Sequence, residues 1–114
     1  MVTIYHNPRC SKSRQTLALL QENGIEPRIV RYLETPPDAA TLKSLLAALG
    51  MRPRDLIRTG EEEYKRLNLA DKSLDDDRLI EAMASHPRLI QRPIVINGKQ
   101  AALGRPPEAV LDIL

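Results

Sequence analysis

Residues 2–33 read VTIYHNPRCSKSRQTLALLQENGIEPRIVRYL, and this stretch decides the fold. Its start, Val2–His6, alternates and is rich in β-branched and aromatic residues, which is typical of a strand that ends at the Asn7-Pro8 turn signal. Apolar residues then recur at helical spacing over Ser11–Asn23, and Arg28–Leu33 favours a second strand. The stretch therefore predicts a βαβ unit whose two strands are parallel and joined by a right-handed crossover.

The middle of the chain predicts a group of helices with capping signals. Thr35–Asp38 and Ser73–Asp76 both have capping-box spacing, and Gly50 is a typical helix stop. The predicted helices are, in chain order, Ala39–Leu49, Pro53–Arg58, Glu62–Leu67 and Arg78–Ser85. We expect them to form an insertion over about residues 36–88.

The last quarter predicts a hairpin and a helix. Ile94–Ile96 and Gln100–Leu103 favour two short strands, and Asn97-Gly98 between them is a strong two-residue hairpin signal. Glu108–Leu114 favours a final amphipathic helix. The order βαβ, helices, ββα predicts an α/β fold with a thioredoxin-like four-stranded mixed sheet and an inserted helical subdomain, all in one domain over residues 1–114.

Composition narrows the class of protein. The 114 residues carry a formal net charge of +2, 42% apolar residues, no Phe or Trp and a single cysteine. Neither a membrane span nor a nucleic-acid surface with aromatic platforms is expected. A lone cysteine cannot form an internal disulfide, and the start of the chain lacks the pattern of a secretory signal, so we expect a soluble protein of the reducing cytoplasm.

Cys10 is the predicted reactive centre. It follows the first strand and opens the first helix, where the partial positive charge of the helix N-terminus favours the thiolate form. The neighbours that add cations, backbone N–H groups or hydroxyl donors are Arg9, Ser11, Lys12, Ser13 and Arg14. The alternative is a small buried apolar residue, the usual fate of an isolated cysteine, but the polar and cationic surroundings of Cys10 disfavour it.

Two further interpretations concern histidine. His6 ends the first strand, where it either supports the thiol or simply hydrogen-bonds the turn. No metal site is expected, because one cysteine and two distant histidines do not have the spacing of a ligand set.

Four blocks of the sequence resemble the glutaredoxin-dependent arsenate reductases, in the same order as in that family. They are residues 5–14 (YHNPRCSKSR), 32–37 (YLETPP), 89–95 (LIQRPIV) and 104–107 (GRPP). The likeness covers nearly the whole chain. It implies a thioredoxin-like fold with Cys10 as nucleophile, His6 supporting the thiolate, and Pro93 in the cis form.

The resemblance also implies an oxyanion site built from Arg58, Arg92 and Arg105. Each arginine taken alone is more typical of a solvated surface charge. A guanidinium is a planar, permanently charged fork that binds an oxyanion through two parallel hydrogen bonds, which lysine does not do.

The reaction implied by the resemblance is arsenate reduction without a bound cofactor. Glutathione would act as co-substrate and glutaredoxin as partner, because a chain with one cysteine cannot resolve a disulfide internally. Ser11-Lys12 departs from the small residues that follow the cysteine in the better-known resistance enzymes, and the chain resembles the shorter branch of the family.

Two other functions fit parts of the sequence. A monothiol, glutaredoxin-like reductase of glutathione mixed disulfides would use Cys10 with Ser13 in place of a second cysteine, and it would not need the three arginines as a set. A regulator related to the Spx proteins, which bind RNA polymerase, is disfavoured because those proteins commonly carry a second cysteine where this chain has Ser13.

Overall fold

The computed structural model describes residues 1–114, which divide into two units. The first unit joins Met1–Thr35 to Arg92–Leu114, and the second is Pro36–Gln91. The helical insertion predicted over about 36–88 therefore corresponds to a unit that ends at Gln91. That the whole chain forms a single domain stays a prediction.

The first unit is built on a four-stranded mixed sheet. Its strands are β1 (Val2–Tyr5), β2 (Arg28–Val30), β3 (Ile94–Asn97) and β4 (Gln100–Leu103), in the order β2-β1-β3-β4. β1 is parallel to β2, antiparallel to β3, and β3 is antiparallel to β4. Helix α1 (Ser11–Glu22) connects the two parallel strands, as the sequence predicts.

The core of the first unit lies between this sheet and the helices. Ile4, Leu20, Val95 and Val110 have no exposed surface, and they come from β1, α1, β3 and a terminal 3-10 helix (Pro107–Ile113). Burying an aliphatic side chain of this size contributes about 1.5–3 kcal/mol. This packing fixes the carboxyl end of β1 and the start of α1, where Cys10 lies.

The end of β2 and the final helix of the first unit differ from the predictions. β2 ends at Val30 rather than Leu33, because the chain turns: the backbone N–H groups of Glu34 and Thr35 both donate to the carbonyl of Arg31. The final helix is a 3-10 helix, and it begins at Pro107.

The hairpin register also differs by one residue. Asn97 pairs with Gln100 across the ladder, so the two loop residues are Gly98-Lys99 rather than Asn97-Gly98. Gly98 takes the first loop position with a φ of 64°, a conformation that glycine adopts without steric cost. The glycine therefore sits at the only loop position with positive φ.

The second unit is helical. It contains α2 (Ala39–Leu49), α3 (Pro53–Leu56), α4 (Glu62–Arg66), α5 (Asp76–Ser85) and a short 3-10 helix (Pro87–Leu89). Helix α5 packs against α2, α3 and the 3-10 helix. An isolated antiparallel bridge joins Ile57 to Ile90. None of the helices in either unit is long and apolar enough to cross a membrane.

In the second unit, the N-cap residues of α2 and α5 lie nearer to the start of each helix than the capping-box spacing predicts. Asp38, not Thr35, is the N-cap of α2 and accepts the N–H of Thr41 at 2.8 Å. Asp75, not Ser73, is the N-cap of α5. An aspartate is as good a cap as a hydroxyl residue, so the nearer one takes the position. Gly50 ends α2 with a φ of 66°, as predicted.

Candidate active site

Cys10 occupies the junction between β1 and α1. It is the N-cap of α1, with extended backbone angles (φ −92°, ψ 123°). Its N–H donates to the carbonyl of Asn7 at 3.0 Å, and its own carbonyl accepts the N–H of Arg14 at 3.0 Å. The loop is thus closed by a short turn on one side and by the first helical hydrogen bond on the other. The thiol is half-buried at the helix N-terminus.

The surroundings of the thiol favour its charged form. Burial alone would raise the pKa of Cys10, but hydrogen bonding from the backbone N–H of Ser13, the Arg92 side chain and the backbone N–H of Lys12 outweighs it. The net result is a pKa below the ordinary value of 9.0. The thiolate is the nucleophilic form of cysteine, so a lowered pKa favours reactivity; that Cys10 is the reactive centre stays a prediction.

Two arginines from the other end of the first unit reach the sulfur. Nη2 of Arg105 lies 3.7 Å from Sγ of Cys10, and Arg92 donates a side-chain hydrogen bond to the same sulfur. The Nε of Arg105 also donates to the backbone carbonyl of Arg92 at 2.7 Å, which ties the two arginine segments together. Both arginines precede cis prolines, Pro93 as implied by the resemblance and Pro106 in addition.

Gly104 brings the Arg105 segment close to α1. Its N–H donates to the carbonyl of Pro93 at 2.9 Å. A Cβ added at Gly104 would lie 2.7 Å from Cγ of Pro93 and 3.1 Å from Cγ2 of Thr16, with Oγ1 of Thr16 closer still. No other residue fits there without a shift of its neighbours. The absence of a side chain therefore allows the backbone that carries Arg105 to pack directly on the helix that begins at Cys10.

His6 and Ser13 form a buried pair behind the loop. Oγ of Ser13 accepts the N–H of Asn7 at 3.0 Å and lies 2.7 Å from Nδ1 of His6. Ser13 is fully buried, so its hydroxyl hydrogen needs an acceptor, and Nδ1 of His6 is the one within reach. His6 therefore accepts at Nδ1 and carries its own hydrogen on Nε2.

The charge state of His6 follows from its environment. Burial, and then the nearby charges of Arg31 and Arg14, lower the pKa of His6 below its ordinary 6.5. The imidazole is consequently neutral at pH 7. The charge that favours the thiolate comes from Arg92 and from backbone N–H groups, and the role of His6 in supporting the thiolate stays a prediction.

The remaining residues of the loop take different positions. Ser11, Lys12 and Arg14 are exposed, and Lys12 acts on the sulfur through its backbone N–H. Nη1 of Arg14 donates to the carbonyl of Pro8 at 3.1 Å rather than to Cys10. The hydroxyl of Ser13, a predicted donor to the thiol, is engaged by His6 and Asn7 instead. Whether Ser11, Lys12 and Arg14 support the thiolate through their side chains stays a prediction.

Arg58 belongs to the second unit and is held by carboxylates there. Its Nε lies 3.3 Å from Oε1 of Glu61, and the other oxygen of that glutamate lies 3.4 Å from Nη2 of Arg88. Arg88 also reaches Glu63 at 3.8 Å. The backbone N–H of Arg58 donates to the carbonyl of Leu89 at 2.7 Å. The role of Arg58 in an oxyanion site stays a prediction.

Comparison with known proteins identifies the family of this chain. The model of the ArsC family matches residues 5–113. The chain belongs to the ArsC family. It is 60% identical over 99% of its length to the uncharacterized protein YfgD of Escherichia coli, covering 96% of that protein. It is 51% identical to an arsenate reductase of Haemophilus influenzae, covering 99% of this chain and 98% of that one.

A solved structure of the same family confirms the fold. An arsenate reductase from Vibrio cholerae is 57% identical and superposes with a TM-score of 0.97 over 99% of this chain and 97% of that one. The chain therefore has the thioredoxin-like α/β fold of the ArsC family, as the element order predicts.

Three residues of the site were not found by sequence reasoning. In the sequence Asn7 gives only a turn signal. In the structure its carbonyl accepts the N–H of Cys10, and its own N–H donates to Oγ of Ser13. Gly104 was noted only as part of an ArsC family block, and a glycine between a strand and a proline pair is a usable signal of close packing. Thr16 carries no signal, because a threonine within a helix is ordinary.

Proposed function

We propose that this chain is a reductase of arsenate that works through the Cys10 thiolate. One observation carries the proposal: Arg92 and Arg105 both reach the sulfur of a thiol whose pKa is lowered at a helix N-terminus. A nucleophile and two guanidinium groups at one point fit a tetrahedral oxyanion that is attacked at its central atom. The names of the Haemophilus influenzae and Vibrio cholerae relatives support arsenate as that oxyanion.

The first chemical step uses the groups at Cys10. The thiolate attacks As(V), a sulfur–arsenic bond forms, and one arsenate oxygen takes up protons and leaves as water. Arg92 and Arg105 neutralise the charge on the remaining oxygens. Backbone N–H groups and guanidinium groups that already face the sulfur need no rearrangement, so this stabilisation is preorganised.

The electrons come from two external thiols. Glutathione thiolate bonds to the arsenic of the Cys10 adduct and displaces a second oxygen as water. A glutaredoxin thiolate then attacks the glutathione sulfur, the sulfur–arsenic bond breaks, and its electron pair reduces As(V) to As(III). Hydrolysis releases arsenite and the Cys10 thiolate. Overall, two thiols become one disulfide while arsenic gains two electrons, and the reducing cytoplasm is the compartment that supplies them.

Arg58 enters this proposal through the resemblance alone. Its guanidinium makes an ion pair with Glu61 at 3.3 Å, so a third contact to the oxyanion would compete with that carboxylate. The contribution of Arg58 is accordingly expected to be smaller than that of Arg92 or Arg105.

The test is arsenate-dependent NADPH oxidation with glutathione, glutaredoxin and glutathione reductase. Cys10→Ser should abolish turnover, and Arg92→Ala or Arg105→Ala should lower kcat/KM about 10- to 100-fold, because each loses a charge-assisted hydrogen bond worth about 1.5–3 kcal/mol. Arg28→Ala, at an exposed position on β2, is the matched control and should keep full activity. Absence of arsenate turnover in the wild type would refute the proposal.

A second candidate is reduction of glutathione mixed disulfides. It is supported by the same free, partly exposed Cys10 with a lowered pKa and by Ser13 in place of a second cysteine. The two functions differ in whether they require the arginines. Disulfide reduction that survives Arg105→Ala unchanged while arsenate reduction is absent would favour this second function.

A further inference from the structure

A cavity of about 190 Å³ opens in the first unit beside the loop that ends at Cys10. One wall is the loop segment His6–Arg9, and the other is the turn after β2 with Arg31, Leu33 and Glu34. At about 30 Å³ for each water of the liquid, this volume equals about six water molecules. It is large enough for the charged end of an amino acid.

Three charged groups line this cavity without ion partners. The Arg9 and Arg31 guanidinium groups and the Glu34 carboxylate make no salt bridge or side-chain hydrogen bond within the protein. The positive charge of Arg31 nevertheless helps to lower the pKa of His6. Leu33, 39% exposed, and Pro8 add apolar surface. Two cations and one anion around a small pocket complement a ligand with the opposite set of charges.

We infer that this cavity binds the amino-acid end of a small peptide thiol. A ligand carboxylate pairs with Arg31 and Arg9, since guanidinium groups bind carboxylates strongly, and the ligand ammonium group pairs with Glu34. This inference rests on the proposed function, which needs an external thiol at Cys10, and it adds where that thiol is held. Glutathione, with two carboxylates, one ammonium group and a thiol, has the required chemistry.

The position of the cavity suits delivery of a thiol. Arg9 lines it, and Cys10 is the next residue, so the two Cα atoms are about 3.8 Å apart. A ligand anchored by its charged end would extend its flexible thiol arm along the loop toward the sulfur. The arginines that face the oxyanion, Arg92 and Arg105, do not line this cavity, so the oxyanion and the thiol would occupy different sites.

The test uses thiol–disulfide exchange, which needs no arsenate. The Cys10 thiolate attacks one sulfur of glutathione disulfide, the disulfide bond breaks, a mixed disulfide forms on Cys10, and one glutathione thiolate leaves. The same exchange with bis(2-hydroxyethyl) disulfide involves no charged groups on the reagent. Intact-protein mass spectrometry gives the rate constant for each reagent, and their ratio measures recognition of the charged ligand.

Arg31→Ala is expected to lower this ratio about tenfold, the equivalent of one charge-assisted hydrogen bond. Glu34→Gln should lower it by a smaller factor, and Arg31→Lys should restore part of the loss. Arg28→Ala is the matched control, because Arg28 is an exposed arginine on β2 that does not line the cavity, and its ratio should equal that of the wild type. Alkylation by iodoacetamide, an uncharged reagent, corrects each variant for changes in the thiolate itself.

An unchanged ratio in both Arg31→Ala and Glu34→Gln would overturn the inference. A ratio lowered equally in Arg28→Ala would also overturn it, because the effect would then be that of general surface charge. These outcomes are independent of arsenate turnover. A wild type that reduces no arsenate but shows the Arg31-dependent ratio would refute the proposed function and support the thiol site.

Discussion

Replacing Gly104 by alanine tests the close packing behind the candidate active site. The added Cβ would stand 2.7 Å from Cγ of Pro93 and closer than van der Waals contact to both branches of Thr16, which is fully buried. Neither neighbour is the free end of a flexible chain, so the backbone must move. Overpacking of this kind typically costs 1–3 kcal/mol. We expect Gly104→Ala to lower the free energy of unfolding by ~2 kcal/mol, and Tm by ~8 °C in a chain of this size.

Urea unfolding followed by circular dichroism measures this loss. Gly60→Ala is the matched control, because a Cβ at Gly60 meets nothing within 4 Å, and it should change stability by less than about 0.5 kcal/mol. Thr16→Ala should partly rescue Gly104→Ala by removing Oγ1 and Cγ2, leaving the double variant more stable than the sum of the single effects by about 1 kcal/mol. A Gly104→Ala protein as stable as the control would refute the packing argument.

Three other predictions follow from the site and the caps. Arg92→Ala should raise the pKa of Cys10, seen as a higher midpoint in the pH dependence of iodoacetamide alkylation. An unchanged midpoint would show that Arg92 does not stabilise the thiolate. Because the folded-state pKa of His6 lies below 6.5, the unfolded chain binds more protons below that pH, and stability falls as pH drops toward the folded-state value. His6→Gln should flatten that part of the pH profile of the free energy of unfolding. An equally steep fall in the variant would contradict the attribution of this pH dependence to His6. Asp75→Ala removes the N-cap of α5 and should cost about 1 kcal/mol in urea unfolding, whereas Asp112→Ala, at an exposed position, should cost nothing measurable.

The order of the elements and the position of Cys10 were predictable from the sequence. Period-two and period-3.6 patterns identify strands and helices directly, and the turn signal after β1 places Cys10 at the carboxyl end of a strand. The bounds of α2 were predicted to the residue. These features depend on local sequence, which is where pattern reasoning is strongest.

Other features depend on tertiary contacts, which local sequence does not determine. Arg28–Leu33 has the composition of a strand throughout, but Tyr32 is buried in the turn that follows, and this burial ends β2 three residues early. The hydroxyl of Ser13 was expected near the sulfur, and it turns instead to His6, which lies seven positions away in the sequence. The pairing of Arg58 with Glu61 has a plausible helical spacing, yet nothing in the sequence says which carboxylate an arginine chooses.

The position of Cys10 as the N-cap of α1 makes the beginning of that helix sensitive to the chemistry at the sulfur. The backbone N–H groups of Lys12 and Ser13 contribute to the lowered pKa of Cys10, whereas a sulfur bonded to arsenic or to glutathione is neutral and a poor acceptor. A covalent adduct on Cys10 would thus remove the negative charge that the positive end of the helix dipole favours, and the first turn would fray more often. Amide hydrogen exchange at these two positions should run faster in the glutathionylated protein than in the free thiolate, which makes the helix end a reporter of the chemical state of the sulfur.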